Sequence, residues 1–162
     1  MPNSIEFSSD TFHYAVFDGY FYDTAEVTLS RLKTGVDIAT LIEISPIYFD
    51  VNKSNIRPDA ATELDKIVQI MNEYSSMIVE LGSHTDCRAT YSYNRSLSDR
   101  RAKSSANYIK SRITNPERIY GKGYGESKLK NKCECEGRRK VDCTEEEHQA
   151  NRRTEFLIIK MD

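Results

Sequence analysis

The first regular pattern of apolar positions predicts a helix that begins near residue 58. Four apolar residues share one face at the spacing i, i+3, i+4 and i+7: Leu64, Ile67, Val68 and Met71. Pro58 lies where the first helical position is expected, because proline has a suitable φ angle and that position needs no N–H partner. We therefore expect an amphipathic helix whose apolar face packs against a core.

A second helix is predicted by small side chains rather than by large ones. Ser98 is a suitable N-cap, and Ala102, Ala106 and Ile109 follow it as a narrow stripe of small and apolar residues. Such a stripe allows a helix to lie close to a sheet. Arg101 would then stand about one turn into this helix.

Four short β-prone runs surround the two helices, at residues 47–49, 77–81, 119–124 and 155–159. The resulting order is strand, helix, strand, helix, strand, strand. This order predicts an α+β fold, a βαβαββ sandwich in which a mixed sheet carries its helices on one face.

The chain divides into segments of different character. Residues 1–40 hold aromatic, β-prone runs, including an alternating one at 25–29, and we interpret them as the tail of a preceding β-rich domain with a linker. Residues 41–162 form the second domain. Within it, residues 126–150 are an insert without apolar periodicity, dense in charge, and Glu145, Glu146 and Glu147 are interpreted as a solvated face.

Composition and charge exclude several classes of protein. The 162 residues have a formal net charge of −2 and no basic block, which gives no reason to expect nucleic acid as a partner. No apolar run approaches the roughly 20 residues that span a bilayer. The N-terminus lacks the features of a signal peptide. We expect a fragment of a longer protein whose export signal or lipid anchor lies outside this sequence.

The four cysteines, Cys87, Cys133, Cys135 and Cys143, predict disulfide bonds in an oxidising compartment such as the periplasm. Cys133 and Cys135 are too close in sequence to pair with each other comfortably, so each should pair with Cys87 or Cys143, and the sequence leaves the connectivity open. The alternative is a zinc site that adds His148, but the spacing lacks the usual C-x₂-C pair. We expect a disulfide-stapled insert and no metal or other cofactor.

An acid and a base carry the candidate chemistry. Asp86 follows an apolar strand, and Arg101 lies on the helix after it. Held apart on two rigid elements, they could grip an ammonium and a carboxylate borne by one carbon atom. The alternative is a structural salt bridge, or an Asp that caps a turn. No nucleophile–base arrangement or phosphate-binding loop is readable, so we expect no enzyme.

The residues around this pair resemble the OmpA-like peptidoglycan-binding domain family. The resemblance rests on His84-Thr85-Asp86, on Asn94, and on Leu97-Ser98 followed by Arg101. It implies that the ligand is the diaminopimelate of the cell-wall stem peptide. Asp86 would bind the ligand's ammonium and Arg101 its carboxylate.

The resemblance also implies roles for neighbouring residues. Thr85 and Asn94 would form hydrogen bonds near the ligand, and Leu97 would pack under its carbon chain. Asp50 would lie at the mouth of the site or serve only as a turn residue, and Arg152 would line the rim.

Two further details bear on this likeness. The chain has Ala89 where the family usually has glycine, which would be strained if the position needs a positive φ angle. Arg100 should point away from the ligand to the solvated surface, because neighbouring helical residues differ by about 100°.

The cysteine-bearing insert, which ends in the segment at 143–156, resembles the Bacteroidetes branch of this family. This likeness implies a place in the periplasm at the outer membrane, with outer-membrane or type IX secretion components as partners. The alternative function is a protein–protein assembly module that uses the same groove without binding the wall.

Overall fold

A computed structural model describes residues 9–17, 22–30, 32–135 and 141–161 of the chain. The strands within these residues are β1 (Ser9–Phe17), β2 (Tyr22–Ser30), β3 (Ile78–His84), β4 (Ile119–Gly125) and β5 (Thr154–Lys160). The helices are α1 (Ile38–Leu41), α2 (Pro58–Glu73), α3 (Tyr91–Lys110) and α4 (Glu145–Asn151), with a 3₁₀ turn at Pro116–Arg118. Among these helices, none is both long and apolar enough to cross a membrane.

The central element is β3, which lies between the other two strands of a three-stranded sheet. It pairs with β4 in parallel and with β5 in antiparallel register. The predicted mixed α+β fold is therefore confirmed. Helix α2 begins at Pro58, as predicted, and buries Leu64, Ile67 and Met71 against the core.

Strands β1 and β2 form a separate antiparallel pair, in register from Ser9 opposite Ser30 to Phe17 opposite Tyr22. The alternating run predicted as a strand at 25–29 lies in β2, and the aromatic residues at 20 and 21 lie outside the described part. The assignment of residues 1–40 to a preceding domain stays a prediction. The side chains of Val36 and Ile38 nevertheless lie in the buried part of the second domain.

The strand predicted at residues 47–49 is not formed. Ile47 is buried in the core without joining the sheet, and Pro46 before it has no N–H to donate to a strand partner. Residues 35–37 run along β5 instead, with hydrogen bonds of 2.7 Å from Gly35 N to Ile158 O and 2.9 Å from Ile158 N to Val36 O. Apolar content alone did not distinguish a core-packed loop from a strand.

Helix α3 lies against β4 at backbone contact. A Cβ atom at Gly121 would lie 2.3 Å from the carbonyl oxygen of Ala102, and one at Gly123 would lie 2.2 Å from the amide nitrogen of Asp99. The stripe of small residues predicted for this helix is confirmed, since Ala102, like Ala106 and Ile109, is buried. Glycine on the strand is as necessary for this packing as small residues on the helix.

The start of α3 differs from the prediction. The helix begins at Tyr91, and its N-cap is Thr90, whose hydroxyl accepts a hydrogen bond from Tyr93 N. Ser98 is instead buried in the helix interior, where its hydroxyl accepts a hydrogen bond of 2.8 Å from Gly125 N. Arg101 therefore stands well inside the helix. Ala89 has no positive φ angle, so the strain considered for this position is absent.

We expect Gly121→Ala to lower the free energy of unfolding by about 1–3 kcal/mol, because the new methyl group overlaps helix backbone that cannot move aside alone. Urea unfolding measures the change. Gly82→Ala is the matched control on the sheet, where the nearest atom to a new Cβ is the Tyr124 side chain at 3.2 Å. Equal losses in the two variants would contradict the backbone-contact argument.

The insert is fastened by two disulfides, as predicted, and the structure settles their connectivity. Cys87 pairs with Cys135, and Cys133 pairs with Cys143. In the described part of the chain, the carboxylate of Glu147 lies near the sulfur atoms of Cys133 and Cys143. Because those two sulfurs are bonded to each other, they are not thiolate ligands for a metal.

The end of the insert is more regular than its charge pattern predicted. Helix α4 begins with a capping box between Thr144 and Glu147. Three glutamates occupy its first turn, where negative charge interacts favourably with the helix dipole, and all three are exposed as expected. Capping chemistry, rather than an apolar stripe, accounts for this helix.

Candidate functional site

A cleft of about 490 Å³ opens where β3 ends. Its wall combines the loop after β3, the N-terminal half of α3, the segment before α2 and the junction of α4 with β5. The lining residues are 47–49, 51, 52, 83–86, 88, 89, 93, 94, 97, 101, 149 and 152–154. We call this the β3 cleft.

Asp86 lies in the loop that directly follows β3, and its position is fixed from several sides. Its backbone carbonyl accepts a hydrogen bond of 3.0 Å from Asn94 Nδ2, and its Oδ1 accepts one of 3.2 Å from Arg88 N. The disulfide of the adjacent Cys87 ties the same loop to the insert. The carboxylate is therefore held in place while still lining the cleft.

The side chain of Asp86 is paired with two guanidinium groups. Arg88 donates to Oδ2 through Nη2 at 2.7 Å and Nε at 3.0 Å, and Arg152 donates to the same oxygen through Nη1 at 2.6 Å. Burial by itself would raise the pKa of Asp86. The hydrogen bonds from Arg88 and Arg152 outweigh burial, so the pKa lies below its ordinary value.

Arg101 approaches the cleft from α3. Its Nε donates to the carbonyl of Lys53 at 3.1 Å, its Nη2 donates to the carbonyl of Asp50 at 3.3 Å, and its guanidinium lies 5.0 Å from the centre of the Phe49 ring. Burial lowers its pKa from the usual value. Asp86 does not neutralise it, and no carboxylate of the described residues forms an ion pair with it.

The smaller predicted residues surround Asp86. Asn94 is buried and also donates to the carbonyl of Ala89 at 3.2 Å, which braces the loop from α3. Leu97 is buried one turn further along the same helix. The hydroxyl of Thr85 is buried and has no hydrogen-bond partner among the described residues. Their roles towards a ligand stay predictions.

The two remaining predicted residues occupy different positions. Asp50 closes a turn through a hydrogen bond of 3.0 Å from Lys53 N, and its carboxylate pairs with Lys53 and Arg57 at 3.3 Å each. It is absent from the lining of the cleft, although its carbonyl holds Arg101. Arg152 reaches Asp86, whereas Arg153 pairs with Glu155 at 2.7 Å.

His84 lines the cleft and is buried. Its buried ring stacks on Tyr124 with 5.0 Å between ring centres, and burial lowers its pKa. Its Nε2 lies 3.2 Å from a carboxylate oxygen of Glu155. The contact with His84, together with Arg153, lowers the pKa of Glu155 to about 2.

Sequence reasoning missed Arg88 and Glu145 as members of the site. The local signal for Arg88 was its place two residues after an aspartate, because such an aspartate commonly accepts from the N–H at that position. Glu145 contacts both Arg88 and Arg152 from the insert helix. Nothing local in the sequence indicates that pairing. Arg100 is exposed, as predicted.

The described residues form a mixed sheet with a cleft at the end of its central strand, and this cleft is lined by a fixed carboxylate and by an arginine that has no acidic partner among those residues. The OmpA family matches residues 48–142, which is more than half of the chain. The chain therefore belongs to the OmpA family.

One curated relative and one solved structure illustrate the similarity. The peptidoglycan-associated lipoprotein of Mesorhizobium japonicum is 33% identical over 82 residues, which are 51% of this chain and 49% of that protein. The peptidoglycan-associated lipoprotein from Burkholderia pseudomallei has the same fold, with a TM-score of 0.56 and 18% identity over 69% of this chain and 87% of its own.

A third match is to a protein of very different size. The photosystem I P700 chlorophyll a apoprotein A2 of Gloeobacter violaceus is 34% identical over 113 residues, which are 69% of this chain but 12% of that protein. The chain thus spans half or less of the length of these curated relatives. The match to a small part of a large photosystem protein carries no argument about photosynthesis.

Proposed function

We propose that this domain binds peptidoglycan non-covalently through the diaminopimelate of the stem peptide and so anchors a larger envelope protein to the cell wall. The observation that carries the proposal is that Asp86 and Arg101 line one cleft without neutralising each other. A carboxylate and a guanidinium on separate elements suit a ligand that bears both an ammonium and a carboxylate.

The surroundings of each charge support this assignment. Arg101 uses Nε and Nη2 on backbone carbonyls, which orients a planar guanidinium whose other N–H groups can bind the ligand's carboxylate. Asp86 would bind the ammonium, and Leu97 would contact the carbon chain between them. Asn94 acts indirectly, since it holds the backbone of the Asp86 loop.

The relatives support the same cellular setting. Two of the similar proteins named above are peptidoglycan-associated lipoproteins, which favours a non-catalytic wall anchor in the periplasm at the outer membrane. Both disulfides suit an oxidising compartment of that kind. Membership of the Bacteroidetes branch, similarity to the peptidoglycan-binding lipoprotein PorE, and type IX secretion components as partners are finer parts of the proposal.

We expect the domain to prefer stem peptides whose side-chain end bears both an ammonium and a carboxylate. A stem peptide with diaminopimelate at its third position presents an ammonium and a carboxylate at the side-chain end, whereas one with lysine presents only the ammonium. Hydrogen bonds to charged groups contribute about 1.5–3 kcal/mol, so we expect at least tenfold weaker binding of the lysine peptide. Isothermal titration calorimetry with the two peptides measures the difference.

Equal affinity for the two peptides would contradict the role of Arg101. Binding of neither peptide, together with retention of a protein partner on the same face, would favour the alternative function of a protein–protein assembly module. The lysine peptide is a matched control, because it keeps the length and the ammonium and lacks only the carboxylate.

A further inference from the structure

Arg88 is bound to the carboxylate of Asp86, the group that the proposed function assigns to a ligand's ammonium. It contacts Oδ2 of Asp86 through both Nη2 and Nε, and it extends Nη1 to Glu145 Oε2 at 2.7 Å. An internal cation is therefore already bound at the carboxylate that the proposed function assigns to the ammonium.

The two arginines on Asp86 differ in how firmly they are held. Arg152 has a side chain that is 27% exposed and also bonds Gln149 and Glu145. The side chain of Arg88 is 47% exposed, and its described side-chain partners are Asp86 and Glu145. Arg88 forms two hydrogen bonds with Asp86 and Arg152 forms one, but Arg88 is the more exposed of the two, so water can replace the bonds that it loses on leaving.

Glu145 offers Arg88 a second position. Its carboxylate lies at the start of α4, 60% exposed, and already accepts from Arg88 Nη1. An arginine displaced from Asp86 would keep this charge partner instead of being left without one. Asp86 and Glu145 together balance the two guanidinium groups, so an arriving ammonium gains access to the Asp86 carboxylate only if one guanidinium moves away from it.

The backbone confines this change to a side chain. Cys87 is bonded to Cys135, and Asn94 holds the carbonyl groups of Asp86 and Ala89, so the loop that carries Arg88 is fastened on both sides of it. A swing of the Arg88 side chain needs no movement of the loop.

We propose that Arg88 is a built-in competitor for Asp86 that lowers the affinity of the cleft for ammonium-bearing ligands, and that Glu145 receives it when a ligand binds. This inference rests on the proposed function of the cleft. Arg88 is in this sense an affinity-determining residue that acts through Asp86 and contributes no contact to the ligand.

The test measures binding of the tripeptide L-Ala-γ-D-Glu-diaminopimelate by calorimetry to four proteins: the parent, Arg88→Gln, Glu145→Gln and the double variant. Exposed ion pairs contribute up to about 1 kcal/mol, so we expect Arg88→Gln to bind about three- to fivefold more tightly than the parent. Glu145→Gln should bind about two- to threefold more weakly, because Arg88 loses its second position. In the Arg88→Gln background, Glu145→Gln should have a smaller effect.

Arg100→Gln is the matched control, since it removes the same charge from an exposed arginine that bonds Ser96 and does not contact Asp86. A gain in affinity equal to that of Arg88→Gln would show a general charge effect and overturn the proposal. Unchanged binding by Arg88→Gln would also overturn it, and weaker binding would make Arg88 a ligand contact. Failure of the parent to bind the tripeptide would overturn the proposed function itself.

Discussion

Asp86→Ala and Arg101→Ala should each weaken binding to diaminopimelate-type peptidoglycan sacculi at least tenfold. Removing Arg101 leaves the ligand's carboxylate without its guanidinium, and a hydrogen bond to a charged group contributes about 1.5–3 kcal/mol. Removing Asp86 has a further consequence, because Arg88 and Arg152 would then face the ammonium with Glu145 as the one acidic partner that they share. Co-sedimentation with purified sacculi measures the loss.

Two controls separate this effect from unfolding and from charge alone. Arg101→Lys keeps the charge but should also bind poorly, because a lysine cannot contact two carbonyls and a carboxylate with one planar group. Arg100→Ala alters the neighbouring exposed arginine and should bind as the parent does. If both alanine variants in the cleft sedimented with sacculi as well as the parent, while melting normally, the assignment of the site would be wrong.

Reduction of the two disulfides should lower the melting temperature by roughly 10–30 °C, measured by thermal unfolding with and without reductant. The insert has little core of its own, and each bond restricts its unfolded states, which contributes about 2–4 kcal/mol per bond. The Cys87–Cys135 bond spans 48 residues and the Cys133–Cys143 bond spans 10, so the first should contribute more in a chain-entropy account.

Paired serine variants distinguish the two bonds. Replacing Cys87 and Cys135 should weaken wall binding as well as stability, because Cys87 stands between Asp86 and Arg88 in the binding loop. Replacing Cys133 and Cys143 should lower stability and leave binding near that of the parent. Wall binding that survives loss of the Cys87–Cys135 bond unchanged would show that Asn94 and the β3 ladder are enough to hold the loop.

The sequence predicted those parts of the fold that depend on local pattern. Helix α2 was readable because its large apolar residues recur on one face, and the small stripe of α3 correctly indicated close packing on a sheet. The start of α3 was misjudged because its first turns carry polar and exposed aromatic residues. The cap at Thr90 was therefore less conspicuous than Ser98, which lies beside the apolar stripe.

The candidate site was predictable as a set of residues but not as a network. The residues that the sequence proposed for the site lie on consecutive elements, and most of them line one cleft, whereas Asp50 does not. Their roles towards a ligand stay predictions. The ion pairs of Glu145 depend on how the insert folds back across the site, and its partner Arg88 is 57 residues away in sequence. The insert contains many acidic and basic residues that could form ion pairs. The pairing of Glu145 with Arg88 depends on the disulfide connectivity and on the position of α4, which the sequence does not give.

The elements that carry Asp86 and Arg101 also determine how the domain would respond to mechanical tension from a bound cell wall. Asp86 follows β3, which is hydrogen-bonded along both edges, and Arg101 is on a 20-residue helix in backbone contact with β4. Tension applied through a bound stem peptide would therefore be shared between two strand ladders and a helix–sheet seam. We expect the ligand to dissociate from the cleft before the domain unfolds, so that the attachment to the wall can form again.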